Sequence, residues 1–153
     1  MVDVVDRITR SRMMAGIKGV NTKPELALRR ALHRLGFRFR LHARELPGKP
    51  DIVLPKHRAA IQVHGCFWHR HENCAYTTTP GSNRSFWTEK FRETIARDLR
   101  KRASLKDAGW RIAVVWECAI REHGADAVSE ELSEWLISGK KLVEIPKKRS
   151  KLP

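Results

Sequence analysis

Apolar residues recur along this chain at helical spacing in three places. The first lies between Thr22 and Gly36, where leucines form a stripe and Pro24 suits a first helical turn. Thr22 is a good N-terminal cap and Gly36 a good stop, so the pattern predicts a helix that ends at about Leu35. Glu25 follows Thr22 at capping-box spacing, which favours a structural role for this acid.

Two further helices are predicted in the second half of the chain. Ser85 is placed to cap a long helix that runs from Phe86 to about Asp107. Apolar positions on this helix approximate one face, formed by Phe91, Ile95, Leu99, Ala103 and Leu105. The last helix is predicted over 125–138, with inward positions at Val128, Leu132, Trp135 and Leu136.

Between the helices the pattern changes to short strands. Residues 37–41 alternate as F-R-F-R-L, residues 51–54 and 59–63 are short and apolar, and residues 110–116 are the most apolar run. The strands at 51–54 and 59–63 are predicted to form a hairpin, which places Asp51 near Val63 and His64. The order of elements predicts an α/β fold of the nuclease type.

The net charge of the chain indicates the class of molecule that it binds. The chain has 153 residues, enough for one domain, with 31 Lys and Arg against 17 Asp and Glu, and a net charge of +14. A domain this basic implies a polyanionic partner, most simply nucleic acid, although charge does not separate DNA from RNA. Residues 1–20 are predicted to form a basic clamping helix or arm, and residues 146–153 a flexible basic tail.

Membrane and disulfide-rich classes are excluded by the pattern. No apolar run approaches 18 residues, and the N-terminus lacks the order of a signal peptide. Three cysteines, an odd number, do not form a disulfide framework. A monomeric cytoplasmic protein is expected.

Two of the three cysteines lie in the stretch G-C-F-W-H-R-H-E-N-C at 65–74. Cys66, His71 and Cys74 have the short spacing of metal ligands, and Cys118 follows a predicted core strand whose end can reach this loop. Three thiolates and one imidazole predict a closed structural zinc site. The alternative is that the cysteines are buried as small apolar residues.

A second group of residues has the chemistry needed to hydrolyse a phosphodiester. Asp51 at a strand start and the main-chain carbonyl of Val63 offer oxygen ligands of the kind that Mg²⁺ prefers. His69, beside the metal loop, is the best candidate for a general base near neutral pH. The other histidines, His33, His42, His57 and His123, are assigned no role.

Bulky side chains near this loop have two alternative uses. Phe67, Trp68 and Trp87 could be buried or could contact bases, and three rings beside basic residues favour at least one base contact. For Met13 and Met14 in the N-terminal arm, burial of one of them and insertion between bases are left open.

Five stretches resemble a known family, the very short patch repair (Vsr) DNA mismatch endonucleases. They are T-R-S-R-x-M at 9–14, L-P-G-K-P-D at 46–51, H-G-C-F-W-H at 64–69, F-W-x-E-K at 86–90 and G-W-R-x-x-V-V-W-E-C-A at 109–119. The pair formed by H-G-C-F-W-H and W-E-C is specific. The matching stretches span about the first 120 residues.

The resemblance implies a restriction-endonuclease-like fold with structural zinc and catalytic Mg²⁺. It implies nicking of one DNA strand on the 5′ side of the mispaired T in a T·G mismatch left by 5-methylcytosine deamination. A mismatch-repair protein and a DNA polymerase are expected to act downstream.

The resemblance also implies roles for individual residues of this chain. Asp51 matches the metal-binding acid, and Val63 matches the residue that offers its main-chain carbonyl. His69 matches the general base, and Glu25 matches an acid that holds water at the metal. His64 and Asp98 match supporting residues of the active site. The intercalating positions match Phe67, Trp68 and Trp87 from the major groove and Met14 from the minor groove.

The chain also departs from the family. The interval from His71 to Cys74 is one residue longer than in the best-known member, and Val63 replaces a Thr. The alternative function is a zinc-stabilised protein that binds mismatched or bent DNA without cutting it, and a third is a homing-type or RNA nuclease with the same core. The bases flanking the mismatch and the number of Mg²⁺ ions do not follow from the sequence.

Overall fold

A mixed five-stranded sheet organises the protein, for which a computed structural model describes residues 21–147. The strands are β1 (Arg40–Leu41), β2 (Ile52–Leu54), β3 (Ala59–His64), β4 (Arg111–Trp116) and β5 (Leu142–Ile145), and they lie in this order in the sheet. The helices in this part of the chain are α1 (Lys23–Arg34), α2 (Arg84–Asp107), α3 (Glu117–His123) and α4 (Ala125–Ser138). The predicted α/β class is confirmed, whereas the arm at 1–20 with Met14, and residues 148–153 of the tail, lie outside the described residues.

The predicted hairpin is present. β2 pairs antiparallel with β1 and with β3, and Ile52 lies opposite Ile61. A 3-10 turn, Pro55–His57, joins β2 to β3, and Arg58 follows it in a left-handed conformation. β4 pairs parallel with β3 and with β5, so the connections after β3 must cross over the sheet.

Alternation along β4 divides the core between the two faces of the sheet. Ala113 and Val115 pack on the face covered by α1, α3 and α4, together with residues such as Leu32 and Leu132. Ile112, Val114 and Trp116 pack on the opposite face. That second face also holds Cys66 and Cys118, so one side of the sheet is mainly structural core and the other carries the cysteine cluster.

The ends of α1 and α4 agree closely with their sequence signals. Thr22 caps α1 through its hydroxyl, which accepts a hydrogen bond from the Glu25 N–H at 3.4 Å. The Glu25 carboxylate accepts from the Asn21 N–H rather than from Thr22, so the predicted capping box is shifted by one residue. All four predicted inward positions of α4 are buried.

The prediction for α2 was wrong in two respects. Asn83, in a left-handed conformation with φ 54°, precedes the helix, which therefore starts at Arg84 and includes Ser85 instead of being capped by it. Of the five predicted apolar positions only Phe91 and Leu105 are buried, while Ile95 is 43% exposed and Leu99 is 59% exposed. Most of α2 therefore does not pack on the sheet as a conventional core helix.

Other corrections concern short elements. Residues 37–39 are not in the strand predicted for 37–41, although Phe37 and Phe39 still pack against the core. The pattern missed α3, which begins directly after β4, and β5, which lies where the chain was predicted to approach its tail.

Gly48 lies where the loop before β2 passes closest to α2. Its φ is +75°, and an added Cβ would lie 2.9 Å from the Cβ of Lys101. Because both the conformation and the contact disfavour a side chain, Gly48→Ala should lower the free energy of unfolding by about 1–3 kcal/mol, measured by urea denaturation. Gly81→Ala, where nothing lies within 4 Å, is the control; an equal effect of the two would contradict the role of the close approach.

Among residues 21–147, the helices do not include one with both the length and the apolar content needed to cross a bilayer.

Candidate active site and metal cluster

Three cysteines and one histidine meet beneath the loop that follows β3. The Nδ1 atom of His71 lies 3.4 Å from Cys118 Sγ and 3.7 Å from Cys66 Sγ. With Cys74, the four candidate ligand atoms all lie within 4.8 Å of one another. Although Cys118 is distant in sequence, the parallel pairing of β3 with β4 brings its position on the first turn of α3 to this loop.

These distances can be compared with the geometry of a tetrahedral ion. Bonds of about 2.3 Å to sulfur and about 2.0 Å to nitrogen separate two such ligands by about 3.5 Å at the tetrahedral angle. The observed 3.4 and 3.7 Å match that separation. Burial raises the pKa of the Cys66 thiol, and it raises the pKa of Cys118 to about 11, so a cation is needed to hold these thiols as thiolates at neutral pH. The four residues fit a metal ion, as the sequence predicted.

Asp51, at the start of β2, directs its carboxylate towards the end of β3. Its Oδ2 accepts a hydrogen bond of 2.8 Å from the N–H of Val63. The N–H and C=O of one residue in an extended strand point to the same edge, so the Val63 carbonyl also faces the Asp51 side. Burial raises the pKa of Asp51 to about 6, with a smaller contribution in the same direction from Glu25, while His42 and His69 act to lower it.

Glu25 joins Asp51 from α1 and is the centre of a polar network. Its side chain is 2% exposed, and its Oε1 lies 2.7 Å from His42 Nε2 and 2.9 Å from Arg29 Nη2. The candidate ligand atoms of Glu25, His42 and Asp51 all lie within 4.8 Å of one another. This group could hold a cation, and it includes a histidine to which the sequence had assigned no role.

His69 and His64 lie beside Asp51 and stack on each other. Their ring centroids are 3.9 Å apart and the rings are nearly parallel, at 6°. His69 Nδ1 lies 2.6 Å from the Asp98 carboxylate, which fixes the tautomer by accepting a hydrogen bond from Nδ1–H and leaves Nε2 free to accept a proton. Burial, then the charges of His69, Arg102 and Lys101, hold the pKa of His64 well below its usual value. His64 is therefore neutral, and its Nδ1 has no hydrogen-bond partner among residues 21–147.

A cavity of about 180 Å³ opens over these histidines. It is lined by His64, His69 and Asp98, and also by Ile95 and Leu99 of α2. This explains why the apolar stripe of α2 is exposed, since part of it faces the cavity instead of the core. The lining also includes Arg70 and Arg102 together with Glu72 and Glu144, so its charges are of both signs.

The aromatic residues of the loop form one cluster with those of α2. Phe67 contacts Trp68, Trp87 and Phe91, with ring centroids 5.0, 5.7 and 5.3 Å apart. Phe91 is buried and anchors the cluster, while Phe67, Trp68 and Trp87 are partly exposed. The Arg70 guanidinium lies 3.9 Å from the centre of the Phe91 ring and holds the loop against α2. The three predicted rings are thus brought together beside the cavity.

Most of the side chains at this site were predicted from the sequence, and two were not. Asp51, Val63, His64, His69, Asp98 and Glu25 lie in one region, as the motifs indicated. His42 and Arg29 escaped notice because neither belongs to a motif. The signal for His42 was positional: it follows β1, and its N–H donates to the Asp51 carbonyl at 3.0 Å, so the pairing of β1 with β2 would have placed it.

Comparison with known sequences gives evidence about the family of this chain that does not depend on the geometry of the site. The family profile described as DNA mismatch endonuclease Vsr matches residues 2–75, a range that includes Glu25, Asp51 and His69. Cys118 lies outside that range, but the pairwise similarities extend over most of the chain.

Three relatives have similar lengths and substantial identity. The Type II nicking enzyme V.XorIIP of Xanthomonas oryzae pv. oryzae is 46% identical over 125 residues, 82% of this chain and 91% of the relative. The DNA mismatch endonuclease Vsr of Escherichia coli is 40% identical over 139 residues, 89% of this chain and 88% of the relative. The Type II nicking enzyme V.NmeAIP of Neisseria meningitidis is 39% identical over 121 residues, 79% and 86% of the two chains.

Proposed function

The chain belongs to the Vsr family of DNA mismatch endonucleases and is a DNA endonuclease, and from this premise we propose that it nicks one strand of a T·G-mismatched duplex in a Mg²⁺-dependent reaction. The observation that carries the proposal is the convergence of Asp51, His64 and His69 at the end of β3, where Asp51 accepts a hydrogen bond from the N–H of Val63 and the His64 ring stacks on that of His69. His69 is held by Asp98 at 2.6 Å and is close enough to Asp51 to affect its pKa. The proposed fold type is restriction-endonuclease-like.

The Mg²⁺ site is proposed at the start of β2. Asp51 and the Val63 carbonyl would hold the ion, since both offer oxygen donors of the kind that Mg²⁺ prefers. Glu25, which the resemblance places at a water on the metal, is close enough to Asp51 to be a direct ligand as well. The bound ion would neutralise charge on the scissile phosphate and make the attacking water more acidic. Burial of both carboxylates fits this assignment, because Arg29 already pairs with Glu25 and a bound cation would offset the charge of Asp51.

His69 is proposed as the general base. Its Nε2 would take a proton from the attacking water while Nδ1–H donates to Asp98, whose negative charge stabilises the imidazolium that forms. The His64 ring packs against His69 at 3.9 Å and limits its rotation. In-line attack by this water on the phosphorus leaves a 5′-phosphate and a 3′-hydroxyl.

The metal cluster is proposed to hold zinc with a structural role. All four coordination positions are filled by protein ligands, so there is no open position for substrate. His71 stacks on Trp116 with centroids 4.2 Å apart, which ties the cluster to β4. The loop that carries His69 and Phe67 is thereby fixed against the sheet.

Mismatch recognition is proposed to use the aromatic cluster. Phe67, Trp68 and Trp87 would insert into the base stack from the major-groove side, where a mispaired step is easier to unstack than a matched one. On α2, basic side chains outnumber acidic ones and suit contacts to the phosphate backbone. Met14 is proposed to enter from the minor groove.

The decisive experiment is a nicking assay with Mg²⁺ on a T·G duplex, with T·A, G·C and RNA duplexes as controls. A single nick 5′ of the mispaired T is expected only in the T·G duplex. Binding without any nick would favour the alternative of a non-catalytic mismatch-binding protein, and cleavage of RNA would favour a general nuclease.

His69→Ala should slow nicking by about 10²–10⁴-fold, the usual contribution of a general base. Asp98→Asn should cause a smaller loss, since the amide keeps a hydrogen-bonding group but removes the charge that stabilises the imidazolium. Single-turnover rates on the T·G duplex measure both, with exposed His123→Gln as control. A His69→Ala enzyme at the wild-type rate would show that another group takes the proton.

A further inference from the structure

His42 occupies a constrained position beside the proposed Mg²⁺ site. It directly follows β1, and its backbone has φ +46°, a left-handed conformation that is uncommon for a residue with a side chain. Its N–H donates to the Asp51 carbonyl at 3.0 Å, so the main chain is held opposite Asp51. The side chain is 25% exposed and directs Nε2 towards Glu25.

The position of Nε2 fits that of a metal ligand. It lies 2.7 Å from Glu25 Oε1, and adjacent ligands of an octahedral ion with bonds of about 2.1 Å lie about 3.0 Å apart. The Asp51 carboxylate is within 4.8 Å of both other ligand atoms. Two carboxylates and one imidazole therefore converge, where a site built for Mg²⁺ alone would need only oxygen donors.

Arg29 lies close to both proposed ligand atoms, with its Nη2 3.2 Å from His42 Nε2 and 2.9 Å from Glu25 Oε1. A bound cation therefore requires this guanidinium to be accommodated. The same nitrogen donates to Asn21 Oδ1 at 2.6 Å. A divalent cation that takes the lone pairs of Glu25 Oε1 and His42 Nε2 must displace Arg29 Nη2 from both atoms, and the guanidinium can then keep its hydrogen bond to Asn21 Oδ1.

We propose that His42 is a nitrogen ligand of the catalytic cation site and makes that site favour Mn²⁺ over Mg²⁺. An imidazole adds more affinity for Mn²⁺ than for Mg²⁺, which prefers carboxylate, carbonyl and water oxygens. The inference rests on the proposed cation site at Glu25 and Asp51, and it assigns to that site a metal preference and an additional ligand.

The test uses the full-length chain with its cysteine cluster loaded with zinc, and Mn²⁺ as the probe. Electron spin echo envelope modulation of bound Mn²⁺ should show coupling to an imidazole nitrogen in the wild type, and this coupling should disappear in His42→Gln. Calorimetric titration should show a loss of at least about tenfold in Mn²⁺ affinity for His42→Gln, with a smaller loss for Mg²⁺. His33→Gln, which removes an exposed imidazole from α1, is the matched control and should leave both unchanged.

The contrary outcomes distinguish a failure of the ligand role of His42 from a failure of the cation site itself. Bound Mn²⁺ without nitrogen coupling, or equal losses of Mn²⁺ and Mg²⁺ affinity in His42→Gln, would overturn the ligand role and leave His42 as a residue that positions Glu25. The same titration with Asp51→Ala tests the cation site itself. If Mn²⁺ binding does not depend on Asp51, both the site and the inference are overturned, whereas the nicking assay tests the proposed activity separately.

Discussion

Asp51→Ala is expected to slow nicking of a T·G duplex by at least about 10³-fold, because it removes a carboxylate that holds the cation, and such a cation contributes several kcal/mol to the reaction. Duplex affinity should change little, since the aromatic cluster and the basic residues of α2 are unaltered. Single-turnover nicking and a binding titration on the same duplex measure the two effects. Full activity in this variant would remove Asp51 from the metal site.

Asp51→Asn is the matched variant, because an amide oxygen can still accept the hydrogen bond from Val63 while the charge is lost. The folded-state pKa of Asp51 is raised from 3.8 to about 6, so between these values the folded protein retains a proton that the unfolded chain has released. Stability without Mg²⁺ should therefore fall as the pH rises through this window, by about 3 kcal/mol in total.

This linkage gives a test that does not depend on activity. At pH 8 without Mg²⁺, Asp51→Asn should be more stable than the wild type by up to about 3 kcal/mol, and the difference should shrink towards pH 5. Added Mg²⁺ should stabilise the wild type but not the variant. Chemical denaturation at the two pH values measures the difference, and the same difference at both would contradict the raised pKa.

Cys118→Ser is expected to cause the largest loss of stability. Structural zinc contributes about 10–16 kcal/mol of apparent binding free energy, as much as the whole net stability of a typical domain. Cys118 is buried and links α3 to the loop after β3 through His71, so its loss opens the cluster at its longest-range connection. The melting temperature should fall by more than about 10 °C, and zinc content should fall below one equivalent.

A chelator provides the control for the substitution itself, since burying a serine hydroxyl has its own cost. Chelation should lower the melting temperature of the wild type and have little further effect on Cys118→Ser. His123→Gln, an exposed substitution on the same short helix, should keep both zinc and stability. A Cys118→Ser protein that retains a full equivalent of zinc would show that this thiol is not a ligand.

Local patterns were sufficient to predict much of this protein. The spacing C-x4-H-x2-C predicted that three candidate ligands lie together because they share one loop, and the hairpin brought Asp51 to Val63 because two apolar strands are separated by one short turn. Helices α1 and α4 were predicted because each buries a regular stripe and has clear end signals. In each case the determining interactions are close in sequence.

The incorrect prediction for α2 and the missed strand β5 have a common physical cause, which is that both depend on long-range contacts. The apolar stripe of α2 predicted a core helix, but the stripe lines a cavity, and whether an apolar side chain is buried depends on what packs against it. Strand β5 is four residues long and is stabilised by pairing with β4, so its own pattern is weak.

What the sequence determined by itself is therefore the set of chemical groups and their local geometry: a cysteine-histidine loop, an acid at the start of a strand and a histidine between aromatic residues. What only the tertiary structure decided is which of these groups meet. The parallel pairing of β3 with β4 carries Cys118 to the loop, and the register of β1 on β2 places His42 against Glu25 and Asp51. The sequence predicted that the end of β4 can bring Cys118 to the loop, but it gave no indication of the contact made by His42. Both contacts depend on strand pairing between distant segments rather than on local spacing.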